Sequence, residues 1–288
     1  MTGSPKLLGI VNVTEDSFSD GGQFLDRDAA LAHARTLAAH GADVIDLGAA
    51  ASNPDARPVS PELEIERLAP LVDTLVSEGL RLSIDSCAPE TQCWAISHGV
   101  KYLNDIHGFA HPKIYPALAA SQVGLIMMHA LRWGPAKRDG ETPRGVFDSI
   151  LAFFESRIAS LCGAGIDRRR LILDPGMGFF LGKNPETSLF VLRRISELKK
   201  AFDLPVLVSV SRKSFLRAIT GRSPPDSGPA TLAAELFAAG QGADYIRTHD
   251  PAALEDALAV MRSLGLGPGQ SDLNPAQILQ RFGENPLL

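Results

Sequence analysis

The sequence predicts an α/β fold of the (β/α)8 (TIM) barrel class, built as a single domain. Three observations carry this reading. Short, nearly continuous apolar runs alternate eight times with longer stretches of helical spacing, and continuous runs suit parallel strands covered on both faces. Glycines recur where helices give way to strands, at Gly41, Gly79, Gly99, Gly165 and Gly242, where a left-handed C-terminal cap is favoured. The length of 288 residues is ordinary for eight β/α units, and eight units in about 260 residues favour a closed barrel over an open doubly wound sheet.

The strands are expected, in order, at Leu7–Val13, Asp43–Gly48, Arg81–Asp85, Tyr102–Asp105, Gly124–His129, Leu171–Asp174, Pro205–Val210 and Tyr245–His249. Helical stretches separate them. In Pro61–Glu78 the residues Ile65, Leu68, Val72 and Leu75 keep helical spacing; Ser60 is placed to cap that helix and Pro61 suits its first position. The last helix repeats the device with Asp250 and Pro251, followed by Leu254, Leu258 and Met261. The segments GADVID (41–46) and GADYIR (242–247) echo one another, as repeated helix–glycine–strand units should. Residues Trp133–Pro143 lack periodicity and read as a loop. The barrel is expected over residues 1–264, with 265–288, rich in glycine and proline, as a tail outside it.

Composition narrows the function classes. Apolar residues make up 45% and charged residues 21%, as in a globular protein with a large core. A net charge of −5 gives no general basic character for nucleic acid. No apolar run approaches the roughly 20 residues of a membrane span, and no signal peptide is read at the N-terminus. Cys87, Cys93 and Cys162 are odd in number and lack CxxC spacing, which points away from disulfides or zinc and toward a reducing cytoplasm.

Catalytic groups of a βα barrel sit where its strands end. Here those ends carry Asn12, Asp46, Asp85, Asn104 with Asp105, His129, Asp174, and Arg247 with His249; Ser211, Arg212 and Lys213 follow strand seven. Polar groups buried at so many ends need partners, and one shared pocket supplies them. Asp46 and Asp105 are expected to serve locally instead, capping helices or bonding neighbouring loops. Carboxylates and amides suit the donor and acceptor edge of a heteroaromatic ring, whereas Arg247, His249 and Lys213 suit anionic groups. The first βα loop, NVTEDSFSDGG (12–22), can bring backbone N–H groups to phosphate oxygens.

Other signals are set aside. GMGFFLG (176–182) has one residue too many for a dinucleotide fingerprint, and the chain has no GxxxxGK[ST] loop and no HxH after the first strand. His129 reads as a packed, hydrogen-bonded histidine, and Met127 and Met128 as core, with one of them available to the pocket floor. Lys199 and Lys200 read as a solvated helix face.

Taken together, the motifs resemble those of dihydropteroate synthases. The stretches are GIVNVTEDSFSDGG (9–22), DVIDLG (43–48), SIDS (83–86), YLNDIHGF (102–109), LILDPGMGF (171–179), SVSRKSF (209–215) and YIRTHD (245–250). They stand in family order from about Leu7 to Leu264. The resemblance implies condensation of 6-hydroxymethyl-7,8-dihydropterin diphosphate with p-aminobenzoate, giving 7,8-dihydropteroate and diphosphate. It implies that Asn12 ligates Mg2+ on the diphosphate, that Asp85, Asn104, Asp174 and Lys213 hold the pterin, and that Arg247 and His249 bind the diphosphate. Ser211 and the Phe179 region are implied on the p-aminobenzoate side. It further implies a cytoplasmic homodimer.

The chain departs from the family pattern twice. Its second loop reads GAAASNPD (48–55) in place of a GGESTRPG-like sequence, with Ser52 at the family's threonine and Asn53 at its arginine. The diphosphate contact there is lost, moved to Arg57 or replaced, and Ser52 is the candidate carried. After DPGMGF, Phe180 and Leu181 precede GK, where the family runs straight on. An extra aromatic beside the p-aminobenzoate pocket admits a compact carboxylate and hinders a sulfonamide's bulkier substituent. Both departures resemble the acquired, sulfonamide-insensitive members. The alternatives are a methyltetrahydrofolate-binding methyltransferase domain and a non-catalytic pterin-binding subunit.

Overall fold

The computed structural model describes residues 4–13, 27–50, 58–131 and 142–266. The expected tail from 267 onward, Ser52, Asn53 and Arg57 of the second loop, residues 14–26 of the first loop, and most of Trp133–Pro143 lie outside the described residues. Pro143 itself begins a helix.

Eight parallel strands form one sheet: β1 Lys6–Asn12, β2 Val44–Gly48, β3 Leu82–Asp85, β4 Tyr102–Asp105, β5 Gly124–Met128, β6 Leu171–Asp174, β7 Leu207–Val208 and β8 Tyr245–Thr248. Their spatial order is β6-β5-β4-β3-β2-β1-β8-β7. A parallel bridge between Leu173 and Val206 joins the two outer strands, with Leu173 N–H donating to Pro205 O at 2.9 Å, so the sheet closes on itself. All eight expected strands form, and each bound is within one residue of expectation except in the seventh, which is two residues shorter at each end. There only Leu207 and Val208 keep the ladder, because the chain turns sharply into the segment that follows.

The outer layer is helical: α1 Arg27–Ala39, α2 Pro61–Ser77, α3 Pro89–Ser97, α4 Tyr115–Ala120, α5 Pro143–Gly163, α6 Pro185–Leu192, α7 Ile195–Phe202, α8 Ser214–Thr220, α9 Gly228–Gly240 and α10 Pro251–Ser263. Ser60 caps α2 by accepting from Leu63 N–H at 3.3 Å, and Asp250 caps α10 by accepting from Ala253 N–H at 3.1 Å. The five glycines named from sequence all have positive φ.

Period-two alternation along each strand divides the residues. One set faces the helices and joins the large core with Leu47, Ile84, Leu103, Leu125, Leu173 and Ile246. The other faces the barrel axis. Its lower layer is largely apolar: Leu8, Val44, Ile126, Ile172 and Leu207, with Tyr102 and Tyr245 packed against it and Ser83 of β3 as a buried polar member. Two residues further along each strand, the inward positions hold Ile10, Asp46, Asn104, Met128, Asp174, Ser209 and Arg247, and Asp85 ends β3 on the same side. A largely apolar plug therefore supports a polar layer at the C-terminal mouth, which is where this architecture carries chemistry.

Lys199 corrects the reading of a solvated face. Its Nζ donates to Asp244 Oδ1 at 2.6 Å and Gly242 O at 3.0 Å, tying α7 to the entry of β8. Among the described residues, no helix is long and apolar enough to cross a membrane.

Candidate functional site

The polar layer lines one recess at the barrel mouth, formed by Asp85, Asn104, Ile106, Met128, Asp174, Gly176, Met177, Phe180, Ser209, Lys213 and Arg247. Arg247 anchors it. Its Nε donates to Asp46 Oδ2 at 2.5 Å and its Nη2 to Asp85 Oδ2 at 2.9 Å. The expectation that Asp46 serves a helix cap or loop is overturned: its side chain is fully buried and points into the barrel toward Arg247. It sits mid-strand on an inward position, where no helix terminus is in reach. Asp105 does act locally, accepting from His107 N–H at 2.6 Å and Gln92 Nε2 at 2.8 Å.

Burial sets the charge balance. Removal from water pushes Asp85 up to about 7, with Arg247 pulling the other way. The same cause raises Asp174 to about 6, opposed by the Gly176 N–H, which donates to Asp174 Oδ1 at 2.8 Å. Burial and the nearby Arg247 lower Lys213 to about 8, against the pull of Asp174 and Asp85. Burial also works against the charge of Arg247, but the flanking carboxylates of Asp46 and Asp85 more than offset it and hold the guanidinium charged. Among the described residues, Asn104 Oδ1 and Ser209 Oγ are buried without a hydrogen-bond partner. Such groups are costly unless a ligand or water engages them.

The ends of β3 and β4 are held from behind. Ser86 N–H donates to Asn104 O at 3.0 Å. Ser86 Oγ donates to Glu64 Oε2 of α2 at 2.5 Å. Gln92 Nε2 of α3 donates to both Ser86 O at 2.7 Å and Asp105 Oδ2. Asp85 and Asn104 are thus fixed by the residues that follow them, which explains the buried polar positions on the inner faces of α2 and α3.

Phe180 and Leu181, read from sequence as an addition, lie in a 3-10 turn, Gly178–Leu181. Leu181 is buried and Phe179 is 47% exposed. Phe180 O accepts from Leu131 N–H at 2.9 Å, and Lys213 Nζ lies 4.9 Å from the Phe180 ring centroid. Gly176, at φ 70, admits no side chain, because a Cβ would stand 2.3 Å from His129 O. His129 is buried and meets Phe153 edge-on at 5.2 Å, a packed histidine as expected.

Asn12 ends β1 in register with Gly48, which is in register with Asp85. With no side chain at Gly48, a gap opens there: a Cβ would come 3.8 Å from Asn12 Oδ1 and 3.9 Å from Asp85 Oδ2. His249 and Ser211 stand beside the recess without lining it. Ser211 Oγ is 2.8 Å from His249 Nδ1.

The structure therefore brings Asp85, Asn104, Asp174, Lys213, Arg247 and Phe180 around one cavity, with Asn12 at its rim. Phe179 is solvent-exposed beside Phe180, and Ser52 is outside the described residues. Asp46, Ser209, Gln92 and Glu64 were missed from sequence. Asp46 had a signal: GADVID and GADYIR place it and Arg247 at equivalent positions of the repeat.

Comparison with known proteins agrees with this geometry. The family described as Pterin binding enzyme matches residues 8–249. A relative from Escherichia coli, dihydropteroate synthase type-2, is 61% identical over 259 residues, covering 90% of this chain and 95% of its own. The type-3 dihydropteroate synthase of the same organism is 51% identical over 90% of this chain and 99% of its own. The solved Xanthomonas albilineans dihydropteroate synthase with 4-aminobenzoic acid superposes with a TM-score of 0.83 at 37% identity, covering 93% of this chain and 95% of that one. Fold, mouth and sequence agree, and the chain belongs to the pterin-binding enzymes and, among them, to the dihydropteroate synthases.

Proposed function

We propose that this enzyme joins a dihydropterin to p-aminobenzoate by displacing diphosphate from the pterin CH2–O carbon, and that it does so in the presence of sulfonamides. The observation that carries the first part is the convergence of Asp85, Asn104, Asp174 and Lys213 on one recess above a largely apolar barrel core. Asp174, the unpartnered Asn104 Oδ1 and Lys213 offer acceptors and donors that can match the edge of a pterin ring. The C–O bond breaks, diphosphate carries away the electron pair, and the aniline nitrogen forms the new C–N bond and then releases its proton. No covalent enzyme intermediate is needed. Asp85 lies where an anion favours positive charge spreading into the ring. As the ring gains that charge, Asp85 is drawn back to its ionised form.

Arg247 keeps the rest of its five donors for the departing anion, with His249 beside it. Mg2+ fits the rim, since the gap over Gly48 is flanked by two hard oxygens, Asn12 Oδ1 and Asp85 Oδ2. Mg2+ prefers such oxygens together with substrate phosphates and water. Asn12 would hold the ion, which when bound neutralises charge on the leaving diphosphate. Aligning the two substrates contributes further.

Phe180 supports the second part. Its ring lies 4.9 Å from Lys213 Nζ on the turn that follows β6, and in this reading it narrows the side where p-aminobenzoate enters. A cytoplasmic homodimer belongs to the same proposal. Apolar side chains exposed on consecutive outer helices, Ile219, Phe237 and Val260, support association.

Release of diphosphate from the pterin substrate, dependent on p-aminobenzoate, tests the enzyme against a non-catalytic binder. Removing Phe180 and Leu181 should lower the sulfonamide concentration that halves turnover by tenfold or more. Equal inhibition of both forms would reject the role given to the turn.

A further inference from the structure

We propose that Ser211 is a positioning residue that fixes the tautomer of His249, so that the ring presents Nε2–H to the leaving diphosphate; this rests on the diphosphate reading above. Ser211 Oγ lies 2.8 Å from His249 Nδ1. The same oxygen accepts the backbone N–H of His249 at 3.3 Å. A hydroxyl has one proton and two lone pairs. One lone pair is taken by the backbone N–H. The second lone pair could accept from a protonated Nδ1, but the Ser211 proton would then have no acceptor among the described residues, a costly outcome for a buried donor, so the proton goes to Nδ1. That nitrogen is then an acceptor, and the neutral ring carries its own proton on Nε2.

The ring is neutral here for two physical reasons. It is removed from water, and Arg212, Arg247 and Lys213 repel a further positive charge, which together lower it to about 3. The surrounding cations make an anion the favourable occupant of this corner. Toward an anion, an Nε2–H donor attracts and a bare Nε2 lone pair repels. The choice of tautomer therefore decides whether His249 helps or hinders.

Ser211 is built to make that choice. It is 5% exposed and begins a turn in which Arg212 is held at φ 57, a conformation L side chains adopt only when fixed by their surroundings. Arg212 N–H donates to Thr231 Oγ1 of α9 at 3.1 Å, and Lys213 N–H to Val210 O at 3.2 Å. The turn aims the hydroxyl at β8. With its proton committed to Nδ1, Ser211 has none to donate to the p-aminobenzoate carboxylate. Its role lies on the diphosphate side.

The test is a long-range 1H–15N spectrum of full-length protein labelled at histidine, with His249 assigned by its loss in His249→Gln. The wild type should show Nε2 protonated and Nδ1 bare. Ser211→Ala should give a tautomer mixture, whereas Ser211→Thr, which keeps the hydroxyl, should retain the single form. Affinity for inorganic pyrophosphate should fall roughly five- to tenfold in Ser211→Ala, the loss of about one hydrogen bond, and recover in Ser211→Thr. A wild-type ring protonated on Nδ1, or an unchanged spectrum in Ser211→Ala, would overturn the proposal. If Ser211→Ala fails to fold, the wild-type spectrum still decides. Wild-type protein that does not bind pyrophosphate would instead defeat the diphosphate reading, while the spectrum judges the tautomer separately.

Discussion

Asp46 and Arg247 hold equivalent places in two echoing segments of the chain and meet inside the barrel, Nε to Oδ2, at 2.5 Å. They lie on the two strands that flank β1, with Ile10 in register with Asp46 and Leu8 with Arg247. The pair is buried, and Arg247 also reaches Asp85. Asp46 thus sets the position of a residue that touches the recess, though Asp46 itself does not line it.

Removing Asp46 should therefore act on stability first. Asp46→Ala leaves a buried guanidinium with one carboxylate fewer, a change expected to cost about 3 kcal/mol or more. The replacement Asp46→Asn keeps a hydrogen-bond acceptor and should cost less. Urea unfolding of both variants measures this. Equal stability of Asp46→Ala and wild type would mean that the pair holds nothing in place.

Asp85 and Lys213 face the same cavity with opposite charges. Asp85→Asn removes the anion that favours charge development on the pterin, and Lys213→Ala removes a ring contact and a cation. Each should lower turnover by roughly a hundredfold or more, measured as diphosphate release at saturating p-aminobenzoate. Near-normal rates in both variants would contradict the assigned roles.

The buried carboxylates tie stability to pH. Asp174 sits at about 6 in the folded chain, well above its ordinary value, so the native state holds a proton that the unfolded chain gives up. Its contribution is fully present below about pH 4 and is lost as pH rises through about 6. The difference of about two pH units corresponds to roughly 2 to 3 kcal/mol. Asp174→Asn should flatten the fall in unfolding midpoint across this window. Raised Asp85 adds in the same sense up to about pH 7, so the variant keeps part of the slope. A wild-type midpoint that climbs between pH 4 and 7 relative to Asp174→Asn would reverse the sign argued here.

Much of this was legible from spacing alone. The eight strands, the glycine caps and the capped starts of α2 and α10 each depend on short-range chemistry that a sequence displays. So does the mouth, because most strands carry a polar residue at or near their ends there. What stayed hidden depends on which face of a strand points inward. Asp46 and Arg247 read as separate strand residues until the barrel closes and brings them to either side of β1. Lys199 looked solvated because its partner Asp244 is 45 residues away. Gln92 and Glu64 are polar residues on helix faces that ordinarily meet the core, and only the ends of β3 and β4 explain them. The turn carrying Phe180 showed as extra length, but where its ring lies depends on Lys213 across the mouth.

The rim predicts a separable metal effect. Asn12 Oδ1 is a neutral oxygen at the gap over Gly48 and the other flanking oxygen, Asp85 Oδ2, already accepts from Arg247, so the protein alone holds Mg2+ weakly unless substrate phosphates and water complete the shell. Chelation should therefore suppress turnover of the pterin diphosphate and leave binding of a pterin without phosphates unchanged. Asn12→Ala should raise the Mg2+ concentration needed for half-maximal rate by roughly tenfold, a loss on the order of one charge-assisted contact, while Gly48→Ala should do the same by filling the gap. Titrating Mg2+ against diphosphate release in each variant checks this. The two substitutions alter different atoms on different strands, so a shared shift in Mg2+ dependence would point to the space between them. If pterin binding without phosphates weakens equally on chelation, the ion acts on the ring pocket and the assignment to the diphosphate is wrong.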